Sequence, residues 1–159
     1  SCNYVREYGL TKMIVTTPVL KAIRSSTQYL TSSEGVLSFE NLYLISEDFN
    51  SSYISSGDFD LTLNSQSLKV VANNLSAFTI SGDTETLTVF FASGLCAFKG
   101  ADLIAQDVTV FQRSSHDIIV NPQQSLNVDI RGVGDVISVH TPPVVEVEEY
   151  YTGRLLFLD

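Results

Sequence analysis

The chain has 159 residues, with 9 Lys and Arg against 18 Asp and Glu and a formal net charge of −9. That balance repels phosphate backbones and anionic lipid, and no Lys/Arg cluster offsets it, so nucleic acid is not expected as a partner. Strand formers together with Ser, Asn and Thr outweigh Ala, Lys and Glu, which favours an all-β chain with a core large enough to need no staples.

The chain opens on Ser1-Cys2. A mature lipoprotein begins at a cysteine that follows a small residue, so Cys2 is a lipidation candidate. The other cysteine, Cys96, lies in the apolar run Leu95-Cys96-Ala97-Phe98 and is expected to pack as a small hydrophobe. Two cysteines are too few for a disulfide framework or a closed zinc site. No apolar stretch approaches the roughly 18 residues that a membrane-spanning helix needs.

Residues 1–18 carry no repeat. The run Thr11 to Val19, broken at Pro18, is expected to be a lead-in strand or cap. Residues 19–48 contain two alternating stretches, Val19 to Leu30 and Leu37 to Ile45, and are expected to form irregular first coils.

From residue 49 to 159 six segments share one pattern. They start at Phe49, Leu68, Leu87, Val108, Leu126 and Val145, with steps of 19, 19, 21, 18 and 19. Two residues on stand Ser51, Val70, Val89, Val110, Val128 and Val147. Ten residues on stand Phe59, Phe78, Ala97, Ile118, Val136 and Leu155, and at the eighth position stand Gly57, Ser76, Leu95, His116, Gly134 and Gly153. Each unit reads as strand, turn, strand, turn: Leu126 to Ile130 alternates, Arg131 to Asp135 turns, Val136 to Val139 is a short strand, and Thr141-Pro142-Pro143 breaks the chain. A period of this length signals a solenoid, because one unit cannot bury its apolar face without neighbours above and below. Coils stacked about 4.8 Å apart would place each column's residues over one another. The fold class expected is therefore an all-β parallel β-helix with coils of about 19 residues, forming one domain over 1–159. A β-sandwich does not demand matching columns, and a four-bladed propeller would need about 40 residues per blade.

The columns have departures. Lys99 falls where Leu61, Ile80 and Val120 fall, and Gln112 and Glu149 fall where Phe91 and Ile130 fall. The third unit has two extra residues near Gly100 to Ile104, which a bulge or corner loop would absorb.

The stretch from Ser125 to Val136, then Pro142-Pro143-Val144-Val145 and Tyr151-Thr152-Gly153-Arg154-Leu155, resembles the terminal repeats of the head GIN domain family of putative auto-transporter adhesins. Ser56-Gly57-Asp58-Phe59 and Asn74 to Phe78 resemble degenerate earlier copies, Ser1 to Val5 is similar to the lipoprotein junction of Bacteroidetes members, and Leu20 to Ile23 to their first strand. The resemblance implies a right-handed parallel β-helix, secreted or tethered to the outer membrane, and carries over no catalytic residue.

The residues themselves show no catalytic constellation. Asp58, Asp60, Asp83, Asp107, Asp117, Asp129 and Asp135 are the carboxylates that a polysaccharide-degrading helix would draw on. Asp58 and Asp135 both follow a turn glycine and are expected near one corner, where they could approach each other to bind Ca²⁺ or a sugar hydroxyl, although Asp after Gly is also ordinary turn chemistry. His116-Asp117, read as strand neighbours, would face opposite sides and form no dyad. Tyr150 and Tyr151, with Tyr43 and Tyr53, are candidates for contact with sugar rings or proteins.

The function expected is a non-catalytic, adhesin-like module of the cell envelope that needs no cofactor or metal. Its expected partners are glycans or surface proteins, with membrane contact only through a lipid anchor and self-association through the apolar last coil, Arg154 to Leu158. The alternatives are a polysaccharide-binding or pectinase-like polysaccharide-degrading helix, and a structural envelope protein that assembles through its ends.

Overall fold

The computed structural model describes residues 12–48 and 56–158. Ten strands and no helix make up the described chain: β1 (Ala22–Arg24), β2 (Thr31–Ser38), β3 (Asn41–Ser46), β4 (Phe59–Ala72), β5 (Ala77–Phe91), β6 (Ala97–Gln112), β7 (Ile118–Ile130), β8 (Val136–Ser138), β9 (Val144–Glu149) and β10 (Leu155–Phe157). All pairings are parallel, and consecutive long strands pair along their whole length, as a solenoid requires. The result is a β-solenoid of about seven turns.

Each turn has two arms. One carries β1, β3, the second halves of β4 to β7, and β9. The other carries β2, the first halves of β4 to β7, β8 and β10. On the first arm Ile23, Leu44, Val70, Val89, Val110, Val128 and Val147 stand over one another, as the valine column predicts from Val70 onward. On the second, Thr31, Phe59, Phe78, Phe98, Ile118, Val136 and Leu155 form the facing wall. Within β4 to β7 the bend between arms lies inside one continuous strand, so only one corner per coil is a true turn; in the last coil residues 139–143, including Pro142-Pro143, separate β8 from β9.

Alternation explains the burial. Along β4, Phe59, Leu61 and Leu63, then Leu68 and Val70, point inward and are buried, while Asp60 and Lys69 are exposed. The rings of Phe59 and Phe78 stack with centroids 4.8 Å apart, and Phe91 leans against Phe78 at 5.9 Å. Buried polar residues pair between coils: Ser65 Oγ donates to Thr84 Oγ1 at 2.9 Å, and the hydroxyls of Ser46 and Ser76 lie 2.5 Å apart.

Three expectations are corrected. The coil beneath β4 does not start at Phe49: Leu68 stands over Leu42 and Val70 over Leu44. From Ser46 to Phe59 the chain takes thirteen positions, against six from Ala72 to Phe78, so a corner insertion displaces the period. Phe49, Ser51 and Tyr53 fall outside the described residues. Next, Phe98, not Ala97, continues the wall, and Cys96, not Leu95, takes the corner position before it. One extra residue sits in the turn at 92–96 and another beside Gly100, since Thr79 pairs with Lys99 but Gly82 with Leu103. Lys99 consequently points outward over Thr79, and Gly100 fills the inward place of Ile80 and Val120, where a Cβ would strike the Phe98 ring. Finally, residues 12–18, the described part of the lead-in, form no strand: Met13, Ile14 and Val15 are exposed, and Lys12 forms an ion pair with Glu34.

Gln112 occupies the Phe91 and Ile130 column, as its spacing predicts, and is fully buried. Burial of a carboxamide needs full pairing. Its Nε2 donates to the His116 carbonyl at 2.7 Å, and its Oε1 accepts the Ser114 N–H at 3.0 Å and the Ser114 hydroxyl at 2.9 Å. Glycine's lack of a Cβ matters at the same corner, where Gly134 and Gly153 lie so close over the carbonyls of His116 and Gly134 that any side chain would collide.

Candidate functional site

Asp58, Asp117 and Asp135 occupy one column, immediately before the wall residues Phe59, Ile118 and Val136. Asp58 and Asp135 are four coils apart, about 19 Å at the usual strand spacing, so they do not approach each other. Each carboxylate has a local task. Asp58 Oδ1 accepts the N–H of Ala77 at 2.9 Å, Asp117 Oδ1 that of Asp135 at 2.9 Å, and Asp135 Oδ1 that of Arg154 at 2.8 Å. These are clasps from one coil to the next, and Asp117, which follows His116 rather than a glycine, makes the same one. His116 and Asp117 are both exposed in a turn rather than a strand. Among the described residues no group of three or more His, Cys, Asp or Glu is placed to hold a metal ion.

Cys96 is buried and reduced, with its Sγ 3.7 Å from the Ser93 carbonyl. Burial pushes its thiol up to about 11 from an ordinary value of 9.0. The unfolded thiol ionises first, so the stability due to Cys96 is present below about pH 9 and is lost as pH rises towards about 11. In a Cys2→Ser chain at pH 8, native Cys96 is therefore expected to resist a thiol reagent such as DTNB and the denatured protein to react at once; rapid native labelling would contradict the buried placement. Cys2 lies outside the described residues.

The face that does collect interaction chemistry is the outer side of the first arm. One column holds Val71, Phe90, Phe111, Asp129 and Glu148, and the next holds Tyr43, Lys69, Thr88, Thr109, Asn127 and Glu146. Phe90 and Phe111 stack with centroids 4.6 Å apart at 14°, although Phe90 is 39% exposed. The Arg131 guanidinium lies 5.8 Å from the Phe111 centroid and 4.6 Å from that of Tyr150. Two bonds from Arg131 Nε to the Asp129 carboxylate, at 2.9 and 3.1 Å, hold it there, and the same carboxylate raises the guanidinium's pKa. The Tyr150 hydroxyl donates to Glu148 at 2.6 Å, a bond to an anion that raises its pKa. At the other end Lys69 Nζ stands 5.2 Å from the Tyr43 centroid. The phenol of Tyr43 is raised by burial first and by nearby Glu47 second. The face is thus a ladder of π-faces and cations along the solenoid axis, suited to planar or ring-bearing ligands.

Of the residues expected from sequence, Tyr150 and Tyr43 lie on this face. Tyr151 is exposed at the neighbouring turn, where its carbonyl accepts Arg154 Nη1 at 2.7 Å. Phe90, Phe111 and Arg131 were not expected, although the repeat contains their signal: Phe90 and Phe111 each directly follow a core valine, so alternation must turn them outward.

The pairing, the satisfied corners and the patterned outer face define the class: a parallel β-solenoid whose distinctive chemistry lies on its surface. The chain belongs to the family described as putative auto-transporter adhesin, head GIN domain, whose model matches residues 3–142. Among solved structures, it is similar to a putative adhesin from Bacteroides fragilis, with a TM-score of 0.84 over 99% of this chain and 71% of that one at 20% identity. At that identity the likeness is one of fold. A search of curated proteins returned no match. Among the described residues no helix is long and apolar enough to cross a membrane.

Proposed function

We propose that this domain is a non-catalytic, adhesin-like interaction module displayed on the cell envelope, held there through Cys2 as a lipid anchor, and that it contacts glycans or surface proteins through the outer face of the first arm. The observation that carries this reading is the Phe90–Phe111–Arg131–Tyr150 ladder, in which the exposed Phe90 and Tyr150 rings, the half-buried Phe111 ring and a cation are fixed in register by the coils beneath. A rigid face loses little side-chain entropy on binding, and repeated weak contacts along it add up. The adhesin description of the family supports the same reading. A polysaccharide-degrading role finds less support, because the carboxylates of Asp58, Asp117 and Asp135 are engaged by backbone N–H groups.

The test is a screen of the chain against arrayed glycans and extracellular matrix proteins, repeated with Phe111→Ala and Arg131→Ala. Aromatic and arginine anchors commonly dominate such contacts, so each variant is expected to weaken a binding signal about tenfold or more with the fold retained. Binding that both variants leave unchanged would remove this face from the reading.

A further inference from the structure

A further outward column borders the aromatic one on the first arm. Gln112 pairs with Ile130, so the residues that follow, Arg113 and Arg131, stand one over the other, about 4.8 Å apart at the usual strand spacing. Like charges stacked in this way repel and cost stability unless an anion lies beside them. Arg131 has its anion in Asp129. The Arg113 guanidinium is exposed and, among the described residues, has neither a hydrogen bond nor an ion pair, in a chain with 18 Asp and Glu against 9 Lys and Arg. Carboxylates are kept away from it. In the aromatic column and the columns on either side, the coils of β4, β5 and β6 carry Lys69 and Arg113 and no acid, whereas those of β7 and β9 carry Asp129, Glu146 and Glu148. Asp107, one column further along β6, is bonded by the Ser125 hydroxyl. Beneath Arg113 stands Ala92, whose short side chain leaves the space beside Phe90 unfilled. The Phe90 and Phe111 rings occupy each other's faces at 4.6 Å, which leaves their electropositive edges towards solvent, where they attract oxygen-rich groups.

We propose that this patch binds carboxylate-bearing sugars, the uronate units of an acidic glycan, with the carboxylate on Arg113 and the sugar ring over Ala92 against the edge of Phe90. The inference rests on the outer face being the binding face and adds the class of ligand to it. A guanidinium and a carboxylate match as two forks, two N–H groups to two oxygens, which a lysine does not reproduce. The net charge of −9 disfavours an acidic polymer over most of the surface, so recognition is confined to this acid-free patch and weakens with salt.

The experiment titrates oligomers of galacturonate, mannuronate and hyaluronan onto the chain at about 50 mM and about 200 mM salt. Each is compared with its methyl ester, which keeps the ring and removes the charge. The variants are Arg113→Gln, Phe111→Ala and, as a control on the other arm, Lys99→Gln, with folding checked by circular dichroism. The expected result is that an acid oligomer binds, less well at the higher salt, and that its ester binds about tenfold or more weakly. Arg113→Gln is expected to lose about tenfold or more and Lys99→Gln nothing. Ester bound as well as acid, with a loss in Phe111→Ala but none in Arg113→Gln, overturns the carboxylate assignment and leaves the face as a binding surface. Acid binding that neither Phe111→Ala nor Arg113→Gln weakens overturns the proposal and the face together. Failure of all three acids to bind overturns the proposal and leaves the face to the wider screen.

Discussion

Replacing Phe78 by alanine is expected to cost about 3–5 kcal/mol of unfolding free energy, the usual range for emptying a fully buried phenylalanine site. Phe78 is fully buried and central: its ring stacks on Phe59 in the coil beneath and touches Phe91 in its own coil. In a solenoid each coil rests only on its neighbours, so a cavity here weakens the contact between β4 and β5 with no other layer to compensate. The matched control is Phe90→Ala, on the opposite side of the same sheet and already 39% exposed, which should cost about 1 kcal/mol or less. Urea unfolding monitored by far-ultraviolet circular dichroism measures both. Equal losses from the two variants would contradict the assignment of inner and outer faces.

Gly82→Ala is expected to have a comparable effect, about 3–5 kcal/mol, without removing a single apolar atom. Gly82 has φ +108, a conformation that costs any L side chain strain, and its Cβ would fall far inside contact distance of the Leu63 carbonyl oxygen directly beneath. Neither problem can be relieved alone, because Gly82 is paired to Leu63 below and Leu103 above. Gly35→Ala is the control: it also has positive φ, at 90, but nothing lies within 4 Å of its Cβ position, so only the strain term applies. A melting-temperature loss no larger for Gly82→Ala than for Gly35→Ala would mean that the close approach of β4 and β5 at this point is wrong.

Much of this fold was legible in the sequence, for a specific reason. From Leu68 to Val147 the inward residues recur at nearly constant spacing, and a parallel solenoid converts constant spacing directly into stacked columns. Legibility failed where the chain changes length at a corner. The single extra residue before Phe98 leaves Ala97 as plausible a wall residue as Phe98, and only the pairing with Phe78 and Ile118 decides between them. The longer path from Ser46 to Phe59 hid the coil of Leu42 and Leu44, whose own alternation is clear but whose phase is not. The carboxylates were misleading for another reason. Asp after Gly looks the same in sequence whether it binds a ligand or the next coil's N–H, and Asp58 and Asp135 do the latter. The outer-face ladder is the reverse case: Phe90 and Phe111 stand one position beyond a core valine and Arg131 and Tyr150 three beyond, all odd steps that alternation turns outward.

An adhesin-like role requires this domain to work outside the cell, and surface protease accessibility tests that most directly. Intact cells of the source organism, treated with an added protease and probed with an antibody to the domain, should lose the signal while a periplasmic marker survives. Full protection of the domain until the outer membrane is opened would contradict surface display and leave direct adhesion without a place to occur.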